Sequence, residues 1–350
     1  MITFFQIINI VSGISLLVFI HEFGHFIVAK IFKVRILTFA FGFGPDLVKS
    51  TYNGTKYCIK IIPFGGFVSM AGENPKDVKG LKDEYLSLKW YKKVLIAFAG
   101  PFSNYIFAVF LFIFIFNVYG VQTISINSSI GAVVKNYPAE FSGLLPGDKI
   151  KSIDGIKVDK WNDLCINIRK RANKRAFFII DRKGHSFELS IPIAKDPITK
   201  LGAIGITPVV IKTKISFFKS LYLGVKTLVI QIVMTVVYLV DKLISFEKPS
   251  IAGPIGVIHT MVDATKNGAY SYVKLIAIIS TALGLFNLLP IPMVDGGMII
   301  LFLVEGLSRK QMKMKFIQIY NGIGLIFIIT IFLFATYNDL IRLNVDKLFR

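Results

Sequence analysis

Residues 4–32 form an apolar stretch long enough to cross a bilayer, yet its second half carries His21, Glu22 and His25. A span needs roughly 20 consecutive apolar residues. Inside hydrocarbon every backbone donor and acceptor must be satisfied within the segment, so this stretch has to be a helix. Ionisable groups at that depth are costly and mark function. On a helix, residues four apart share a face, which lets His21 and His25 grip one metal ion together. Glu22 stands beside them, placed to act as a base for an attacking water. The chain has four histidines, and two of them flank a glutamate at ligand spacing within a span, which argues against coincidence.

Hydrophobic residues make up 54% of the 350, and mean hydropathy is +0.63, well above an ordinary soluble domain. Several further apolar runs approach span length, so the chain reads as a multi-span α-helical membrane protein with a soluble insert. The formal charge of +20 does not imply nucleic acid, and no such partner is expected. Its Lys and Arg residues cluster in loops beside the spans, where they set orientation. The first lysine is Lys30, so the basic leader of a cleaved signal peptide is not expected.

Along the chain, residues 1–32 hold the first span. Residues 33–93 read as a membrane-associated β region of short strands, with a hairpin at Asn53-Gly54, followed by a charged helix-like stretch at 79–93. A second span covers 94–119 and contains Gly100-Pro101-Phe102-Ser103-Asn104. Residues 122–208 are a small α+β domain, with turns at Pro146-Gly147 and Asp154-Gly155 and a helix near 161–170. Residues 214–262 read as an amphipathic or re-entrant juxtamembrane segment that includes Gly253-Pro254-Ile255-Gly256. A third span at 272–304 is broken by Pro290 and Pro292, and a fourth covers 316–336.

Lysines and arginines place the 30–93 loop and the link with Arg309, Lys310, Lys313 and Lys315 in the cytosol, and the α+β domain outside. Cys58 and Cys165 then lie on opposite faces, and no disulfide is expected between them. Hydropathy alone would make 221–240 another span. If it crossed, Asp295 would sit roughly 30 Å of hydrocarbon away from the histidines. Four spans are therefore expected, with 221–240 lying along the surface or re-entrant.

That argument matters because a catalytic zinc site takes three protein ligands. Asp295 is the candidate third, within Asn287-Leu288-Leu289-Pro290-Ile291-Pro292-Met293-Val294-Asp295-Gly296-Gly297. The prolines remove backbone donors, and irregular backbone at membrane depth survives only where protein or a watery cavity covers it. Asn287 can donate an amide hydrogen bond to an oxyanion or to substrate backbone. A helical substrate has no free backbone to attack, so it must be unwound, and the strands of 35–72 offer an edge for it. Of the remaining polar groups, His259 reads as structural, His185 as an exposed turn residue, and Glu305 as a solvated partner near Arg309.

These motifs, together with Gly42–Pro45 and the Ile62–Glu73 stretch, resemble the bacterial site-2 proteases, which are intramembrane zinc metalloproteases. Residues 131–155 resemble the PDZ domain that this family inserts between spans two and three. The resemblance implies Zn2+ held by His21, His25 and Asp295, with Glu22 catalytic and Asn287, Asn104, Gly65 and Gly66 positioning substrate. It implies a bacterial inner-membrane protein with the active site toward the cytosol and an extracytoplasmic PDZ domain. Its implied partners are single-span membrane proteins already trimmed by another protease, in envelope signalling or in clearing signal-peptide remnants. The PDZ domain would bind a peptide or exclude substrates with bulky outer domains. Room for one PDZ domain, and Met293-Val294 before the acid, are the departures.

Overall fold

The computed structural model describes residues 3–196, 199–245 and 253–342. The chain divides into two compact units, Met1–Ile115 with Ser216–Arg350, and Phe116–Ile215.

The first unit begins with helix α1 (Phe4–Ile31), which opens on a capping box between Thr3 and Gln6. Its buried positions Ile10, Gly13, Leu17, His21 and Gly24 recur every three or four residues, so one stripe of α1 faces the protein. Strands β1 (Ile36–Tyr52) and β2 (Thr55–Met70) follow, joined at Asn53-Gly54. They run 17 and 16 residues, far longer than the short strands expected. The reason is that the pair folds back on itself. Thr38, Phe39, Ala40 and Phe41 each pair on both sides, with Ser69, Val68, Phe67 and Gly66 on one and Lys56, Tyr57, Cys58 and Ile59 on the other. The last part of β2 is thereby an edge, and it runs alongside α1. Pro63 accepts a hydrogen bond from Ser15, a Cβ on Gly65 would touch Val18, and the Val68 amide donates to Glu22.

The charged stretch 79–93 is not the helix that its composition suggested. It is irregular apart from a single 3-10 turn, until helix α2 (Trp90–Tyr119) begins. Buried Glu84 explains this: its Oε2 accepts the amides of Lys79, Gly80 and Leu81 at 2.9, 2.9 and 3.1 Å. Those bonds satisfy locally the donors that a helix would have used.

The second unit comprises β3 (Val121–Ile124), β4 (Ile130–Val133), α3 (Pro138–Phe141), β5 (Lys149–Ile153), β6 (Ile156–Lys157), α4 (Trp161–Arg169), β7 (Arg175–Arg182), β8 (His185–Pro192), β9 (Ala194–Lys195), β10 (Gly202–Ala203), β11 (Ile206–Pro208) and β12 (Val210–Thr213). An antiparallel sheet in the order β6-β5-β7-β8 carries it, with β4 paired to β11 and β3 to β12. Alternate residues of β7, Ala176, Phe178 and Ile180, point into a core with Ile150, Ile153, Leu164 and Ile191. Asp148, 1% exposed, receives a two-pronged bond from Arg182 at 2.7 and 2.9 Å. Burial pushes the Asp148 carboxyl up, but the Arg182 bond and the Leu145 amide outweigh it and hold the group below its ordinary range. His185 starts β8, one residue beyond the turn, and is exposed.

The first unit resumes with α5 (Phe217–Ile244), α6 (Pro254–Lys266), α7 (Ala269–Asn287), α8 (Asp295–Ser308) and α9 (Met314–Arg342). The expected third span is thus two helices, α7 and α8, parted where Pro290 and Pro292 withdraw backbone donors. Among the described residues five helices, α1, α2, α5, α7 and α9, are long and apolar enough to cross a membrane, one more than the four spans expected. The fifth is α5, an unbroken helix rather than an interrupted segment. The need behind the four-span argument, that α7 run parallel to α1, is met: Tyr272 donates to Asn9 O near one end, and Asn287 lies beside His21 at the other. The Gly253-Pro254 pair is the start of α6, its first amides taken by buried Asp339 of α9. His259 is exposed on α6 and pairs with Asp263 at 3.3 Å.

One reading is overturned outright. Glu305 is not solvated beside Arg309. It is 6% exposed, and both its oxygens meet Lys93 Nζ, at 2.7 and 2.8 Å.

Candidate metal centre

Two helices, α1 and α8, deliver three donor side chains to one point. His21 and His25 come from successive turns of α1, with Nε2 atoms 3.2 Å apart. Asp295, the first residue of α8, sets Oδ2 3.1 Å from His21 Nε2 and Oδ1 3.3 Å from His25 Nε2. Donors about 2.0–2.2 Å from a tetrahedral zinc lie roughly 3.3 Å from one another, which is the spacing seen.

The tautomers make the same point. His25 Nδ1 lies 2.7 Å from the Ile96 carbonyl, an acceptor only, so Nδ1 carries the proton and the Nε2 lone pair faces inward. A lone pair aimed at a carboxylate oxygen is unfavourable unless a cation sits between them. His21 Nδ1 meets the amide of Asn104 at 3.2 Å, and Asn104 is fully buried. Ligation through Nε2 leaves the proton on Nδ1 of His21 too. The oxygen of Asn104, interchangeable with its nitrogen by a flip, is then the atom that receives it. The residues present fit a metal ion.

Local backbone explains why these side chains converge. Gly100 lies against both imidazoles, where any Cβ would strike His25 Nε2 and His21 Cε1. Gly296 and Gly297 let the 288–294 segment fold back over the first turn of α8, since a Cβ there would hit the carbonyls of Leu288, Leu289 and Ile291. Asp295 in that first turn also sits favourably in the helix dipole.

The three donors line a cavity of about 350 Å³ together with Glu22, Asn287, Glu73, Tyr85 and Asn321. Asn104 lies behind His21 rather than in the cavity, an orienting position, whereas Asn287 reaches the cavity itself. Gly65 and Gly66 stand on β2 and do not line it. Sequence reasoning missed Glu73 and Gly100. Glu73 accepts the Met70 amide at 3.0 Å. The placement of Gly100 inside Gly100-Pro101 was the available signal.

Two histidines on an apolar helix of span length and an acid from α8 thus converge within reach of one ion, with the Glu22 carboxylate beside them. The chain belongs to Peptidase family M50, whose sequence profile matches residues 9–331. It is 32% identical over 346 residues to a candidate zinc metalloprotease of Campylobacter jejuni, covering 94% of this chain and 92% of that protein. It is 32% identical to one from Rickettsia conorii over 356 residues (96% and 98%), and 28% identical to the metalloprotease MmpA of Caulobacter vibrioides over 387 residues (98% and 97%). Among solved structures, the PDZ domain of an SdrC-like protein from Listeria monocytogenes aligns at a TM-score of 0.22 and 21% identity, covering 25% of this chain and 93% of that one.

If Asn104 fixes the His21 ring, Asn104→Ala is expected to weaken metal affinity by about 10–100-fold while the protein still folds. Competition with a chromophoric zinc chelator measures it.

Proposed function

We propose that this peptidase uses zinc to cut within transmembrane segments of single-span proteins that another protease has already trimmed. The observation that carries the reading is that the donors His21 and His25 and the adjoining Glu22 all belong to α1, an apolar helix of span length. His21, His25 and Asp295 hold the ion. Zinc bound there supplies Lewis acidity, polarising a carbonyl and lowering the pKa of a water toward about 7.

The chain's own groups do the rest. Glu22 takes the proton of the attacking water and passes it to the leaving amine. Asn287 donates its amide to the developing oxyanion or to the peptide backbone beside it. Substrate enters unwound and adds to the edge of β2, whose last residues border the cavity. The bacterial relatives support a place in the bacterial inner membrane, and the distribution of Lys and Arg supports the metal lying toward the cytosol. The inserted unit, by its sequence resemblance a PDZ domain, then lies outside and excludes substrates whose outer domains are still intact.

Glu22→Gln tests the reading in cells. With a tagged single-span substrate, the once-trimmed fragment is expected to accumulate in the membrane, and its identity names the client. Normal turnover of every trimmed fragment in that strain would refute the assignment.

A further inference from the structure

The edge of β2 that borders the cavity has its donors already taken. Val68 N–H donates to Glu22 Oε2 and Met70 N–H to Glu73 Oε2, both at 3.0 Å. Residues two apart in a strand send their amides to the same side, and these two point away from β1 toward carboxylates that line the metal cavity. An unpaired strand edge is a template for another chain. Here two side-chain oxygens occupy the positions that the carbonyls of an added strand would take.

We propose that Glu73 is a placeholder on the substrate edge. It holds the Met70 amide in the resting enzyme and gives it up to a backbone carbonyl of the bound peptide. A second carbonyl takes the Val68 amide and frees Glu22 to face the water. This rests on the strand-addition reading of β2 given above.

Two features single out Glu73. It lies on the turn that leaves β2 rather than on a helix, so it can swing without moving the metal ligands. It also borders a second cavity, about 590 Å³, shared with Met70 and Asn321 and opening toward Asn74 and Lys76, so the displaced carboxylate has polar space to enter. The device discriminates between substrate conformations. A helical segment keeps its carbonyls bonded internally and offers nothing to displace the caps. An extended segment offers carbonyls at the right spacing, so the base is released only once the peptide is unwound.

The test uses the full-length, zinc-loaded protein in detergent and two probes. One is a tripeptide hydroxamate, and the other is acetohydroxamate, which has the same metal-binding head without the peptide. Glu73→Ala is expected to tighten the tripeptide probe by about 3–10-fold, the worth of one hydrogen bond, with acetohydroxamate unchanged. Glu73→Gln, which keeps an accepting oxygen, gives a smaller gain. Met70→Pro removes the donor and weakens the tripeptide probe, with unchanged acetohydroxamate binding showing that the buried Met70 site still folds. If the tripeptide binds no tighter than acetohydroxamate, or Met70→Pro changes nothing, strand addition fails and the placeholder with it. If Met70→Pro weakens binding but Glu73→Ala does not tighten it, the placeholder alone is overturned.

Discussion

The Asp295→Asn variant is expected to purify with little zinc and to lose cleavage almost completely, while folding as well as the parent. Structural zinc sites with four ligands contribute about 10–16 kcal/mol. One ligand's share is therefore about 2.5–4 kcal/mol, or about 10²–10³-fold in metal affinity. The substitution is chosen because the rival role for Asp295 is to cap α8. Asparagine caps a helix as well as aspartate does, so a cap would survive the change untouched. The N-cap position is in any case Val294, which makes no side-chain capping bond. Metal content by atomic absorption and a thermal melt, read together, separate the two roles. A variant with full zinc would sink the ligand assignment.

What the sequence disclosed about this site followed from how local each feature is. The His21–His25 pair is set by the helix repeat alone, and Asp295 announces itself between two prolines and two glycines. The cap that Glu73 places on Met70 is only three residues long in sequence. Seeing it, however, requires knowing where β2 ends and that its edge faces the cavity. The doubled pairing of β1 was half visible. Gly42, Gly44 and Pro45 mark a corner, but nothing local says that residues 38–41 will be sandwiched between two stretches of β2. The helix expected at 79–93 failed because periodic charge says nothing about a single carboxylate, Glu84, that gathers three amides. The extra span-length helix α5 shows the limit of arguing from a site to a topology. Requiring Asp295 at the depth of the histidines fixes the direction of α7, which the contacts bear out, and leaves α5 open.

Lys93→Met is expected to destabilise the protein by about 3–5 kcal/mol, because it leaves the Glu305 carboxylate buried without a partner. No sequence rule pairs residues 212 positions apart, which is why Glu305 was assigned to water. In the fold Lys93 is 1% exposed. Its Nζ also donates to the Leu86 carbonyl at 3.3 Å and lies 4.8 Å from the centre of the Phe302 ring. The pair thus ties the start of α2 and the 85–88 turn to the far end of α8, about 15 Å along that helix from Asp295. Losing it frees the helix that carries the third ligand, so the single variant is expected to lose metal as well as stability. The Lys93→Met/Glu305→Met double variant distinguishes charge from packing. A buried pair replaced by apolar groups is commonly neutral or stabilising, and the Phe302 ring and Leu86 beside Lys93 both belong to a buried apolar cluster. The double variant is therefore expected to recover both its melting temperature and its zinc. A double variant as unstable as the single one would mean that α8 is held by the ion pair itself, with the surrounding apolar contacts too weak to replace it.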